Sequence, residues 1–310
     1  MKYTSAEKPP VVAYKPYRDR KPDYQFRDLA TSIMEYGEIS HPPQGEEAKR
    51  LSGVQLRYQM ENGFPLMTER NLTLALGGSN GEIIGMTHGE RTLNGLMKYG
   101  CPEVFWKNWV TPEKCAIFGL PPGDLGDGSY GPQFGKPKCE GGEFSQIEAA
   151  LALAKAFPDT RTIRITTWRL VELLLNADPK KRRTVVAPCH GDFTVVINRE
   201  RKTLKIIHRQ RSADLLVGWT GNVTQYAWMG MVFAHLLGYT MTELVHYIED
   251  AHIYKRQYES FRELFANQTK PFPTVTIDET VTDYFSFRRE HLFLGNDYDC
   301  GPKMIIPTPI

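Results

Sequence analysis

The chain has 310 residues, 41% apolar and 24% charged, with 38 basic against 36 acidic residues and a formal net charge of +2. That balance gives no global field to draw it to nucleic acid or to an anionic membrane. No apolar run approaches the ~18 residues of a membrane helix, and the first residues lack the apolar stretch of a secretory signal, so a soluble, cytoplasmic protein is expected. The five cysteines, Cys101, Cys115, Cys139, Cys189 and Cys300, are too far apart for a metal clip, and no metal site is expected.

In chain order, residues 1–22 are rich in Pro, Lys and Arg and are expected to form a flexible arm, leaving residues 23–310 as one domain. "YQFRDLATSIMEYGE" has apolar residues at helical spacing and stops at Gly37. A polar loop follows, then a strand at "VQLRYQM". The segment from Leu72 to Tyr99 reads as a helix broken by its glycines, and Pro121 to Pro137 as an exposed loop. "FSQIEAALALAKAFPD" is an amphipathic helix. Strands are expected at "TIRITTW", "VVAPCHGDFTVVI" and "TLKIIHRQRSADLLV". A long apolar helix begins near Asn222, "ELVHYIEDAHIY" is a further strand, and a last helix covers "HIYKRQYESFRELFAN". The pattern predicts an α+β fold, a single domain with a large mixed β-sheet flanked by helices.

Several residues stand out, each with an ordinary structural reading beside the chemical one. Cys189 follows a proline at the end of an apolar run, and both a packed thiol and a nucleophile fit. His190, adjacent on an extended chain, points away and cannot serve as its base. A cation would have to lower the thiol pKa, and Arg209 and Arg211 downstream are candidates, though both could be solvated edge charges. His252 and Tyr254 share a strand face. Asn222 could be a plain helix cap, and Glu82 a surface carboxylate among glycines.

The order of these segments carries more than any one of them. "APCH", "QRSAD", "GWTGN" and "DAHIY", preceded by "ENGFPLMTER", "FWKNW", "GSYGPQFGK" and "FPDTRTIRITTW", resemble the thymidylate synthase family from about Asp23 to Ile310. The resemblance implies a homodimer packed through the sheet. It also implies transfer of a one-carbon unit from 5,10-methylenetetrahydrofolate to C5 of a uracil nucleotide, with dUMP the expected substrate and dihydrofolate the by-product. Cys189 is then the thiolate that adds to C6. Arg211 stabilises it and holds the phosphate, with Gln210 and Ser212 in the same pocket. Asn222 reads the pyrimidine edge, where relatives acting on cytosine nucleotides carry aspartate.

By the same resemblance, His252 and Tyr254 bind the sugar hydroxyl, Glu82 organises proton transfers, and Tyr130 lies near the C5 proton. Asp214 and Gly218 meet the folate with Trp106 and Trp109, and Trp106 shields the exocyclic methylene. Arg161 crosses to the partner's phosphate site. The chain departs from the family where Thr162 replaces a second arginine, where "HPPQGEEAKR" lacks one, and where Gly221 replaces a phenylalanine. Lys49, Arg50 and Arg164 are candidate stand-ins for the arginines, and Trp219 for the aromatic ring. These departures leave two alternatives: a pyrimidine nucleotide hydroxymethylase, or a catalytically silent nucleotide- or RNA-binding relative.

Overall fold

The computed structural model describes residues 8–42, 45–135, 137–139, 142–169 and 183–309. Its strands are β1 (Glu38–Ser40), β2 (Ala48–Gln59), β3 (Lys138–Cys139), β4 (Gly142–Glu143), β5 (Arg164–Ile165), β6 (Asp192–Asn198), β7 (Thr203–Gln210), β8 (Ala213–Asp214), β9 (Thr240–Tyr254), β10 (Val275–Ile277) and β11 (Leu292–Leu294). The main sheet has the order β1-β2-β9-β7-β6-β5, with β8 also beside β9. β3 with β4, and β10 with β11, form separate two-stranded ribbons.

β9 is the spine. It pairs antiparallel with β2 from Ala48↔Tyr254 to Gln59↔Glu243, and parallel with β7 and β8. A parallel pair needs a crossover, and the helix Gly218–Leu237 supplies it between β8 and β9. This helix is apolar around its circumference and nearly all of it is buried, as expected of a helix through the core. It ends at Gly238, whose φ of 74° provides the left-handed cap.

The expected α+β class and the single large mixed sheet are observed. Four local expectations are corrected. The helix Thr73–Thr87 runs unbroken through Gly77, Gly78, Gly81 and Gly85. Gly78, Gly81 and Gly85 form a contact surface: a Cβ at Gly81 would lie 2.5 Å from the Tyr99 carbonyl oxygen, and one at Gly78 2.7 Å from the Pro102 ring. The region from Pro121 to Pro137 is not an exposed loop through its middle, because Asp124, Leu125, Tyr130, Gln133 and Phe134 are buried. Arg91 pins it by ion pairs to Asp124 and Asp127.

The third correction concerns strand lengths. Only Arg164–Ile165 of "TIRITTW" pairs, and the strand after Cys189 starts at Asp192. The fourth is the long helix, which begins at Gly218, so Asn222 sits inside it and is no cap.

Of the arm expected over residues 1–22, the described part lies against the domain. Val11 is buried, and its carbonyl accepts the Met241 N–H at 2.8 Å. Arg20 is buried and donates to the Phe272 carbonyl, Thr274 Oγ1 and Asp297. No helix among the described residues is long and apolar enough to cross a membrane.

The glycine helix yields a paired test. Gly81→Ala forces a methyl into backbone and should cost about 1–3 kcal/mol, as overpacking does. Gly77→Ala meets nothing within 4 Å and should gain about 1 kcal/mol from helix propensity. Thermal melts compare the two; a Gly81→Ala chain as stable as the parent would refute the close-packing account.

Candidate active site

Cys189 sits on the turn leading into β6, half-buried. Gly191 makes that turn possible: its φ is 120°, and a Cβ there would meet Thr167 Oγ1 at 2.1 Å. Arg211, just past the end of β7, braces the turn from below. Its Nε donates to the Pro188 carbonyl and its Nη2 to the Ala187 carbonyl, both at 2.8 Å. Its own N–H donates to the Cys189 carbonyl at 2.8 Å. The same Nη2 lies 3.4 Å from Cys189 Sγ. On the other side, the Cys189 N–H donates to the Tyr130 hydroxyl at 2.6 Å.

A cavity of about 310 Å³ opens beside this sulfur, lined among others by Trp168, Pro188, Cys189, Arg209 and Arg211. The Arg211 guanidinium lies 5.5 Å from the centre of the Trp168 ring, within cation–π range. A sulfur beside a guanidinium, open to a cavity, has the setting of a nucleophile; an inert core thiol has neither.

Further in, a line of buried amides joins three elements. Gln210 Nε2 donates to Asn222 Oδ1 at 2.9 Å, and Asn222 Nδ2 to Gln225 Oε1 at 3.0 Å. Gln225 Nε2 donates to Glu82 Oε2 at 2.7 Å and to the Ser79 carbonyl at 2.9 Å. The other Glu82 oxygen accepts from the Trp106 indole N–H at 2.6 Å. Gly221 lets the two helices approach for this: a Cβ there would lie 2.5 Å from Ser79 Oγ.

Asp214 and the final segment form another wall. Gln257 Nε2 lies 3.1 and 3.0 Å from the two Asp214 oxygens and donates also to the Pro307 carbonyl at 3.1 Å. Arg70 bridges the carbonyls of Leu216 and Met304. On β9, His252 Nδ1 hydrogen-bonds Asp250 Oδ1 at 2.8 Å, and the rings of His252 and Tyr254 meet edge-on at 4.9 Å.

Thus Cys189, Arg211 and Tyr130 come together around one turn, and Gln210, Asn222, Glu82 and Trp106 along one hydrogen-bonded line. Ser212 joins that line through its carbonyl, which accepts from Gln210 Nε2 at 3.0 Å. Gly218 opens the long helix with nothing within 4 Å of where its Cβ would be. Trp109 packs under Lys114, 5.3 Å from its ammonium. Arg161 is exposed.

The candidate stand-ins are otherwise engaged. Lys49 donates to the Met34 carbonyl, Arg50 pairs with Asp250 at 3.2 Å, and Arg164 lies 3.9 Å from Asp192. Trp219 is fully buried and stacked on Phe26 at 5.3 Å. Trp168, Gln225, Gln257 and His246 were not foreseen. For Gln225 a signal existed, since it lies three positions after Asn222 on one helix face.

Burial shapes the electrostatics. It pushes the Glu82 carboxyl up to about 7, against the hydrogen bonds from Trp106 and Gln225 that pull it down. It also raises Asp214 and drives His190 down to about 3, helped by Arg211. At Asp250 burial acts upward too, but the His252 hydrogen bond and charge and then Arg50 outweigh it, leaving the carboxyl below its ordinary value.

Glu82 gives a stability signature. Between its ordinary 4.5 and about 7, the unfolded chain has lost this proton while the folded chain keeps it. Stability therefore falls as pH rises through that window and levels off above it. Glu82→Gln has no such proton, so its melting temperature relative to the parent should rise between about pH 5 and 8. A difference independent of pH would exclude a raised Glu82.

A family model described as thymidylate synthase matches residues 24–309. Spanning nearly the whole chain, that match shows the protein to belong to the thymidylate synthase family, whose enzymes carry out folate-dependent one-carbon transfer to C5 of a pyrimidine nucleotide.

Proposed function

We propose that this protein is a homodimeric uridylate C5-methyltransferase, converting dUMP to dTMP. The observation that carries the reading is the Cys189 sulfur at 3.4 Å from the Arg211 guanidinium, facing a cavity. Pyrimidine C5 is a poor nucleophile until a thiolate adds at C6, and this covalent step divides one hard reaction into easier ones. The guanidinium favours the thiolate by charge and, with donors left over, suits a phosphate.

Each remaining residue has a matching task. Asn222 offers the base one lone pair and one N–H beyond those its neighbours use. Glu82, with its proton affinity near neutrality, suits general acid–base work at the base and the folate. The Tyr130 hydroxyl, held by the Cys189 N–H, is set beside the carbon that loses its proton. His252 and Tyr254 meet the sugar, and Arg161 reaches the partner's phosphate site.

The residues on the folate side suit a pterin: Asp214 supplies a carboxylate held by Gln257 and by the Leu216 and Val217 N–H groups, and Trp106 and Trp109 supply aromatic rings. 5,10-Methylenetetrahydrofolate supplies both the carbon and the reducing hydride when bound. Trp106, fixed to Glu82, excludes water from the one-carbon unit, so that reduction to methyl competes with hydration.

The hydroxymethylase alternative drew on the altered phosphate site and on Gly221; the packing of Gly221 against Ser79 accounts for the glycine without a change of chemistry. Incubation with dUMP and 5,10-methylenetetrahydrofolate should release dihydrofolate and a methylated product by mass spectrometry. A hydroxymethyl product, with tetrahydrofolate unoxidised, would favour the alternative. Cys189→Ser should lose turnover while still binding dUMP; undiminished turnover would reject the nucleophile.

A further inference from the structure

Beneath the Cys189 turn lie two histidines that the proposed chemistry does not use. His208 on β7 and His246 on β9 are opposite each other across the parallel pair, and both are fully buried. His246 Nε2 stands 3.0 Å from Gln210 Oε1 and 3.1 Å from His208 Nδ1. His208 stacks on the Tyr226 ring at 3.4 Å between centroids. Among the described residues, His208 Nε2 and His246 Nδ1 have no hydrogen-bond partner.

Donor and acceptor logic fixes where the protons are. A backbone carbonyl only accepts, so the Gln210 atom 3.0 Å from the Ser212 carbonyl is nitrogen, and so is the Gln225 atom 2.9 Å from the Ser79 carbonyl. The Asn222 atom facing the Gln210 nitrogen must then be oxygen, and the one facing Gln225 Oε1 nitrogen. Gln210 presents only its oxygen to His246, so His246 Nε2 carries a hydrogen. His208 Nδ1, facing that same hydrogen, must be bare, and its proton lies on Nε2.

This matters because an amide can be turned over. Uracil presents an N–H beside a carbonyl oxygen; cytosine presents a lone pair beside an amino group, with the opposite sense at the same two positions. Asn222 in one orientation complements uracil, and reversed it complements cytosine. Asparagine at this position does not choose between them; the groups holding its amide do.

We propose that the His208–His246 pair is a base-specificity device: His246 Nε2–H anchors Gln210, which holds Asn222 in the orientation that accepts uracil and refuses cytosine. It rests on the reading of Asn222 as the residue that meets the base. The anchor at the other end is Glu82 with the Ser79 carbonyl, acting through Gln225. Both histidines are positioning residues.

Steady-state kinetics with dUMP and dCMP on the full-length protein provide one test. His246→Phe removes the N–H and is expected to lower kcat/KM for dUMP at least tenfold and to narrow the dUMP-to-dCMP preference at least tenfold. His246→Gln, which again presents an N–H to Gln210, should restore most of the preference. A folded His246→Phe protein with the parent's preference overturns the proposal.

A second test needs no nucleotide. Nitrogen-15 NMR of histidine-labelled protein should show His208 and His246 both neutral and protonated at Nε2. A proton on His246 Nδ1 overturns the proposal even if His246→Phe fails to fold. A parent that accepts neither nucleotide counts against the proposed function, while the NMR result still decides the proton placement.

Discussion

A single guanidinium holds the Cys189 turn in shape. Arg211 spends donors on the carbonyls of Ala187 and Pro188, and its own N–H on that of Cys189, before one nitrogen reaches the sulfur. The planar fork lets these contacts coexist, which a point charge on a flexible stem could not reproduce. The brace places Cys189 directly, and the Tyr130 hydroxyl that accepts the Cys189 N–H and the Trp168 ring beside the guanidinium pack around it. On the reading proposed, the charge that stabilises the thiolate and the brace that places it are one group, so neither can be varied alone.

Behind the brace the site is built from neutral polar groups. Gln210, Asn222 and Gln225 bond end to end in dry surroundings, where a bond left unmade is costly and a complete set is rigid. The two ends are fixed by groups of different kinds, the Ser79 carbonyl and Glu82 on one side, the Ser212 carbonyl and His246 on the other. The line passes from the helix Thr73–Thr87 through the helix Gly218–Leu237 to β7. It therefore ties the positions of two helices to the sheet as well as orienting one side chain.

Part of this arrangement was legible in the sequence because its pieces occur in a fixed order: Cys189 does lie beside Arg211, and Asn222 is joined to Glu82 through Gln225. The fold class was legible as well, since β7 and the amphipathic first helix carry clear periodicity. What escaped had physical causes. The helix Thr73–Thr87 is buried almost all round, so it shows no apolar stripe, and Gly78, Gly81 and Gly85 look like breakers when they are contacts. Residues 8–22 carry charges that suggest solvent, but Arg20 is satisfied by groups more than two hundred positions away. The His208–His246 contact joins residues 38 apart that only the parallel register of β7 and β9 makes neighbours.

The central pairing of the sheet has a kinetic consequence. β2 and β9 join partners such as Gln55 and Tyr247, 192 positions apart, and β9 carries His246, Asp250, His252 and Tyr254. Contacts of such long range make folding slow, because much chain entropy is lost before they form. The side chains that would grip base and sugar fall into place only after that late closure. A chain stalled before it can have its helices formed while β9 is still unzipped, with an unpaired edge open to aggregation.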